Sequence, residues 1–212
     1  SLLQKFLSFD KGLIWFIGAT GQGKSTSMAS MLAERLSDEM RDENLITIEN
    51  PIEFTFDRVK RHRSIFFQQQ VGIAVESFAD GVINSLRQNP TIVLVGESRD
   101  KEDISASVLA GQTGPLVLTT AHGIDIATSL PRLIRAFPED SRDAAAYDIL
   151  DTTRLFIAQH LYPRIDKPGT NVAVREVLEI DKSVMDKLVN IRPENMGNEI
   201  RKIIQSDGIS MA

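Results

Sequence analysis

The sequence predicts an α/β fold, a mostly parallel central sheet with helices on both faces. Two observations carry this. Short buried-type apolar runs alternate with stretches of helical periodicity along almost the whole chain, and strands separated by helices pair in parallel beneath a helical cover. The first run, Leu13-Ile14-Trp15-Phe16-Ile17, leads into Gly18-Ala19-Thr20-Gly21-Gln22-Gly23-Lys24-Ser25, and a helical pattern follows from about Ser25 to Met40. That stretch fits G-x-x-x-x-G-K-[ST], and strand, glycine loop and helix is the setting in which the pattern binds phosphate.

The elements follow in order. Residues 1–12 are a lead-in, with Leu2, Leu3, Phe6 and Leu7 on one helical face. The helix after the loop spaces Met28, Met31, Leu32 and Leu36 as a core stripe. Leu45 to Glu49 is a short buried strand ended by Asn50-Pro51. Residues 56–70 form a hairpin or an extended excursion, basic at first and then strand-like at Ser64-Ile65-Phe66-Phe67. Ser77 caps a helix to Arg87 whose apolar face is Phe78, Val82, Ile83 and Leu86. Thr91 to Val95 is the next strand, and a helix from Glu102 to Ala110 is stopped by Gly111. Pro115 to Thr120 is a strand, Ile126 to Ala136 a helix broken by Pro138, and 143–152 a further helix. Thr153 to Leu161 and Val172 to Ile180 are strands joined by the turn Asp166-Lys167-Pro168-Gly169-Thr170. Helical segments near 182–190 and 195–205 follow, and Gly208 to Ala212 carries no clear element.

Composition narrows the function classes. No apolar run approaches the roughly 20 residues that span a bilayer. The absence of cysteine excludes disulfides and thiolate metal sites and fits the cytoplasm. A formal net charge of −5 argues against nucleic acid as a direct partner. Three unclustered histidines argue against a transition-metal site.

The loop specifies its own chemistry. Its glycines let successive N–H groups curl toward one anion, and the helix start adds its dipole. Lys24 is placed to reach β- and γ-phosphates, Ser25 to hold Mg2+, and Thr26 to sit just inside the helix. In an open α/β sheet, ligands bind at the carboxyl ends of strands. Glu49, Glu97 and His122 fall there. Glu97 follows Gly96 at the end of a hydrophobic strand, where an acid orders Mg2+ through water or takes a proton from the attacking water. The glycine leaves it room. Arg99 and Asp100 pair and brace that turn. Glu49 and Glu53 flank Asn50-Pro51-Ile52 as candidates for orienting water, with a surface position as the alternative for Glu53. His122 is a candidate γ-phosphate sensor or a satisfied structural histidine. The basic run holding Arg58, Arg61 and Arg63 is either solvated surface or a source of an arginine for a neighbouring subunit's phosphate, with nucleic-acid contact the weakest reading. Arg87 is a further phosphate or interface candidate.

Together these stretches resemble the secretion ATPase superfamily, with its PilT-like retraction motors, GspE-like type II secretion ATPases and VirB-type ATPases. Gly18 to Ser25 is similar to the Walker A loop, Thr47 to Glu53 to the aspartate box, Leu94 to Asp100 to a Walker B that carries glutamate, and Thr113-Gly114 through His122 to the histidine box. Leu86 to Pro90 and Arg135 to Pro138 also resemble family segments, so the likeness covers roughly 12–180. The DotB/TraJ branch of type IVB secretion and conjugation is the nearest in kind. Three positions depart: Asn50 replaces the aspartate that names its box, Gln69 stands where many relatives place arginine, and Pro115 where many have histidine.

The resemblance implies a RecA-like core over 13–180 and a C-terminal helical segment over 181–212. Residues 1–12 would be a lead-in or the remnant of a linker from a PAS-like N-terminal domain. It implies Mg2+-dependent ATP hydrolysis by a hexameric ring, peripheral at the cytoplasmic face of the bacterial inner membrane, contacting other secretion-machine subunits. A pilus assembly or retraction ATPase, a nucleotide-gated assembly subunit with little turnover and, less well, a small-molecule kinase remain as alternatives.

Overall fold

The computed structural model describes residues 2–207 and 210–211. Its elements, in chain order, are α1 (Leu2–Ser8), β1 (Gly12–Ile17), α2 (Lys24–Ser37), β2 (Asn44–Glu49), β3 (Ile65–Gln70), α3 (Phe78–Ser85), β4 (Ile92–Val95), α4 (Lys101–Thr113), β5 (Leu116–Ala121), α5 (Ile126–Arg135), α6 (Arg142–Thr152), β6 (Thr153–Pro163), β7 (Asn171–Glu179), α7 (Lys182–Leu188), α8 (Pro193–Asp207) and β8 (Ser210–Met211). The chain divides into two compact units, Ser1–Ile14 with Ser25–Thr120, and Trp15–Lys24 with Ala121–Ala212. The sheet is mixed and mostly parallel, as the alternation of strands and helices predicts.

In the first unit the strand order is β3-β2-β4-β5, with the start of β1 beyond β5. β2 runs parallel to β3 from Asn44↔Ile65 to Glu49↔Gln70, β2 to β4 from Leu45↔Ile92 to Ile48↔Val95, and β4 to β5 from Ile92↔Leu116 to Val95↔Thr119. β2, β4 and β5 are almost wholly buried, as strands covered on both faces must be. The stripe Met28, Met31, Leu32 and Leu36 is buried as expected. Beside it Arg35, only 2% exposed, donates to Glu43 at 2.6 Å, to Asp10 at 3.0 Å and to the Phe9 carbonyl at 2.6 Å, fastening α2 to the segment after α1. α3 lies close on β2, because a Cβ at Gly81 would come within 2.7 Å of Ile48.

Several expectations are corrected here. Of the two readings left open for 56–70, the extended excursion holds and the hairpin does not: the connection 50–64 is long enough to bring β3 back parallel to β2. α2 stops at Ser37, where Asp38 closes a turn by accepting from the N–H of Met40 and of Arg41. Gly111 does not stop α4: it is buried within the helix, which ends at Gly114 in a left-handed conformation (φ 144°). Leu3 and Ile83 are exposed rather than packed, and Leu86 is half-buried where α3 tightens into a 3-10 turn. Ser77 does cap α3, accepting from Asp80 N–H.

The second unit has the order β1-β6-β7-β8. β6 and β7 form the antiparallel hairpin expected from the turn sequence, from Leu155↔Glu179 to Pro163↔Asn171. Trp15 stacks on Phe156 with ring centroids 6.2 Å apart and donates to Thr153 Oγ1 at 3.1 Å. α8 approaches α5 so closely that a Cβ at Gly197 would come within 2.6 Å of the Ala127 carbonyl. Of Gly208 to Ala212, where no element was expected, residues 208, 209 and 212 lie outside the described residues, while Ser210 and Met211 pair antiparallel with Glu176 and Arg175. Among the described residues, no helix is long and apolar enough to cross a membrane.

Candidate functional site

The glycine loop leaves β1 at Gly18, whose N–H donates to the Ala121 carbonyl at 3.3 Å. Gly21 and Gly23 adopt φ of 79° and 72°, where a side chain would be strained. Gly18 is required for another reason: a Cβ there would come within 2.8 Å of the Gln159 carbonyl. Lys24 folds back over the loop, its Nζ donating to the Gly18 and Ala19 carbonyls at 2.9 and 3.0 Å. Ala19, Thr20, Gly21 and Thr26 are exposed, while Gln22, Gly23, Lys24 and Ser25 are half-buried. A cationic ammonium over a concave backbone at a helix start suits a polyphosphate. The Ser25 hydroxyl and a carboxylate are hard oxygen donors of the kind Mg2+ takes.

Gln22 is held from β6 in both directions. Its carbonyl accepts from Gln159 Nε2 at 2.6 Å, and its side-chain oxygen accepts from Leu161 N–H at 2.7 Å. Arg175 Nε donates to Gln159 Oε1 at 2.8 Å, and burial pushes the guanidinium below the usual arginine range. Gln159, Leu161 and Arg175 were not among the residues singled out from sequence.

In the first unit, the carboxyl ends of β2 and β4 bring Glu49 and Glu97 to neighbouring positions. Gly96 N–H donates to the Ile48 carbonyl at 2.7 Å, and a Cβ on Gly96 would lie 3.3 Å from Glu49 Cα. The glycine therefore permits this close strand approach, a role distinct from making room for a carboxylate. Glu49 is buried and accepts from Thr47 Oγ1 at 2.6 Å and Gln68 Nε2 at 3.2 Å, both neutral donors. Glu97 meets Arg99 Nε at 2.6 Å. Arg99 thus braces Glu97 and not Asp100, which instead caps α4 by accepting from Asp103 N–H at 3.0 Å. The flanks of Glu97 are fixed: Ser98 N–H donates to the Thr120 carbonyl at 3.0 Å, and Thr120 Oγ1 to the Gly96 carbonyl at 2.7 Å. Below the turn, Ser98 Oγ shares hydrogen bonds with Ser107 Oγ at 3.0 Å and Thr119 Oγ1 at 2.8 Å. Asp103 is buried there, and desolvation raises its carboxyl above the usual range.

The other candidates are dispersed. Glu53 is exposed in the segment after β2, which Gln70 and Gln68 hold by accepting from the N–H groups of Ile52 and Phe56. His122 is exposed in the second unit, one residue past β5. Arg63 pairs with Asp42 at 2.6 Å before β2 begins, so it sits at the opposite strand end from Glu49. Arg61 stacks over Phe66, 4.5 Å from its centroid, and Arg58 and Arg87 are exposed. Gln69 Oε1, at a departing position, is buried without a hydrogen-bond partner.

A family model described as type II/IV secretion system protein matches residues 1–205. The chain belongs to this family of secretion ATPases. The chain is 36% identical over 178 residues to the type IV pilus ATPase PilU of Pseudomonas aeruginosa, covering 84% of the chain and 45% of PilU. Its fold matches the X-ray structure of the Legionella pneumophila ATPase DotB with a TM-score of 0.90 at 36% identity, over 96% of this chain and 55% of that one. It matches the pilus retraction motor PilT, solved with bound ADP, with a TM-score of 0.84 at 31% identity, over 97% and 56%. The chain therefore spans about half the length of these relatives. The family likeness, the α/β core and the DotB-like affinity read from the motifs are borne out.

Proposed function

We propose that this chain is the core of a motor that binds ATP with Mg2+ and hydrolyses it to energise a bacterial type IV secretion or conjugation system. The observation that carries this is the shape of the Gly18–Ser25 loop, with two glycines at positive φ and the Lys24 ammonium drawn over the backbone. The ADP bound to PilT in its crystal structure supports the same ligand class. Residues 13–180 would form the RecA-like core and 181–212 a C-terminal helical segment.

In this reading Lys24 exchanges the Gly18 and Ala19 carbonyls for β- and γ-phosphate oxygens. Ser25 and Glu97 are the residues that would hold Mg2+, directly or through water; the ion, when bound, neutralises charge building on the phosphate oxygens. Glu97 accepts a proton from the attacking water, with Arg99 Nε on its Oε2 as the group that orients it. Glu49, with Glu53 further along the same segment, orients water, and His122 donates to the γ-phosphate. One of Arg58, Arg61, Arg63 or Arg87 serves a neighbouring subunit of a hexamer at the cytoplasmic face of the inner membrane. Pilus assembly or retraction is the alternative task for the same chemistry. Asn50, a neutral residue next to Glu49 where the resembled pattern has aspartate, favours a second reading, a nucleotide-gated subunit with little turnover.

Phosphate release from ATP, measured with and without Mg2+ and with Lys24→Ala, tests the proposal. Mg2+-dependent release abolished by Lys24→Ala is expected. ATP binding without release would select the gated subunit, and no binding would end both readings.

A further inference from the structure

The loop of a nucleotide enzyme must present its N–H groups inward and keep its carbonyls turned away. In this chain the turning is done from a distant hairpin. Gln22 lies at the crown of the loop, and β6 grips it twice: Gln159 Nε2 donates to its carbonyl at 2.6 Å, and Leu161 N–H donates to its side-chain oxygen at 2.7 Å. An amide can face either way, and only its surroundings fix it. Arg175 stands directly opposite Gln159 in the hairpin register and can only donate, so its Nε, 2.8 Å away, holds the Gln159 oxygen and leaves the NH2 group for Gln22. Gln159 is 1% exposed, so this orientation is not averaged by water.

The hairpin is itself fastened on its next residues. His160 Nε2 lies 2.7 Å from the Ile124 carbonyl, and Glu176 accepts from Ile126 N–H at 3.0 Å, so residues 160 and 176 grip the turn that carries His122. The platform is therefore anchored to both phosphate-directed segments of this unit. Gly18 and Gly23 lie flush against it: a Cβ would come within 2.8 Å of the Gln159 carbonyl at the first and 3.1 Å of Gln159 Nε2 at the second.

We propose that Gln159 and Arg175 are positioning residues for phosphate binding, acting through Gln22 to set the shape of the glycine loop. This rests on the nucleotide-binding reading of that loop. Neither residue need touch the nucleotide, since the geometry passes through one carbonyl.

The test combines two readouts on purified protein: amide hydrogen exchange of the loop without nucleotide, and titration with MgADP. Gln159→Glu keeps a partner for Arg175 but sets an acceptor against the Gln22 carbonyl. It should speed loop exchange and weaken MgADP by about tenfold, the scale of one or two lost hydrogen bonds. Arg175→Lys, which retains a donor, should lie between wild type and Arg175→Met. Gln22→Ala, at a half-exposed loop position less exposed to misfolding, should act in the same direction. The double variant Gln22→Ala with Gln159→Glu should fall short of the product of the single effects, because the two changes share one clasp. Loop exchange and MgADP affinity unchanged in Gln22→Ala and Arg175→Met, or fully multiplicative effects, would overturn the proposal. If wild type binds no MgADP, the nucleotide reading fails, while loop exchange in the same variants still decides whether the clasp shapes the loop.

Discussion

Replacing Glu97 by Gln separates chemistry from binding and from folding. The side chain is nearly isosteric, and its backbone is pinned on both sides by the Ser98–Thr120 and Thr120–Gly96 hydrogen bonds, so the turn should not move. The change removes the ion pair with Arg99, whose side chain is 61% exposed. A pair with one partner so solvated contributes at most about 1 kcal/mol. Loss of a general base, in contrast, costs roughly 10²- to 10⁴-fold in rate, about 2.7 to 5.5 kcal/mol of barrier. The expected outcome is a kcat lowered by at least about a hundredfold, with MgATP-analogue affinity within about threefold of wild type and a urea midpoint almost unchanged. Phosphate release under saturating MgATP, analogue titration and urea unfolding read the three quantities. A kcat within about threefold of wild type would refute the base assignment, because a general base typically contributes about a hundredfold or more. A large drop in urea midpoint would refute the premise that the Glu97–Arg99 pair adds little to folding.

Further outcomes concern the supports of the fold. Arg35→Met strands the buried Glu43 carboxylate and should cost about 3–5 kcal/mol in urea unfolding, toward the lower end because Arg41 remains 3.5 Å from Glu43; adding Glu43→Leu should recover much of it, and simple additivity would contradict the pairing. Asp103 has its carboxyl raised, chiefly by desolvation, so the folded state holds its proton more tightly and the stability this lends fades as pH rises from the unfolded carboxylate range through the folded one. Asp103→Asn should accordingly stabilise at pH 7 relative to wild type and lose that advantage near pH 3, as read by urea titration at the two pH values. At Asp125 burial pushes the carboxyl up, but the Thr128 hydroxyl and N–H and the Arg201 guanidinium outweigh it and leave it lowered. Its contribution is therefore present above the unfolded range and lost as pH falls through the folded one, and Asp125→Ala should cost about 1 kcal/mol at neutral pH, with a shrinking difference in acid.

The order of elements was legible because each buried strand of a parallel sheet announces itself as a short apolar run, and each helix as a stripe. What failed depended on neighbours. Gly111 reads as a stop by propensity alone, yet it is buried inside α4, and packing outweighs the roughly 1 kcal/mol that glycine costs a helix. The pairing of β3 turns on whether the basic connection before it doubles back or crosses over, and a strand's own residues do not say which. Ile65 and Phe67 show the difficulty, being apolar and about half exposed on that strand.

The loop was legible for a different reason from its clasp. Gly18 to Ser25 are contiguous, and the demand for positive φ at Gly21 and Gly23 is written in the residues that satisfy it. Gln159 is 137 positions from Gln22, and no local rule joins them. A signal did exist. With the hairpin turn placed at Asp166 to Thr170, the antiparallel register sets Gln159 opposite Arg175. Each directly follows an apolar run, Leu155 to Ala158 and Val172 to Val174, and a buried amide facing a guanidinium is costly unless the remaining amide hydrogens find an acceptor. The acceptor had to be a carbonyl within reach of β6, and the glycine loop, whose Gln22 carbonyl faces the hairpin, is the segment that offers one. The pair in the hairpin and the motif at the first strand are thus two halves of one hydrogen-bond requirement, and it is met only when both are folded.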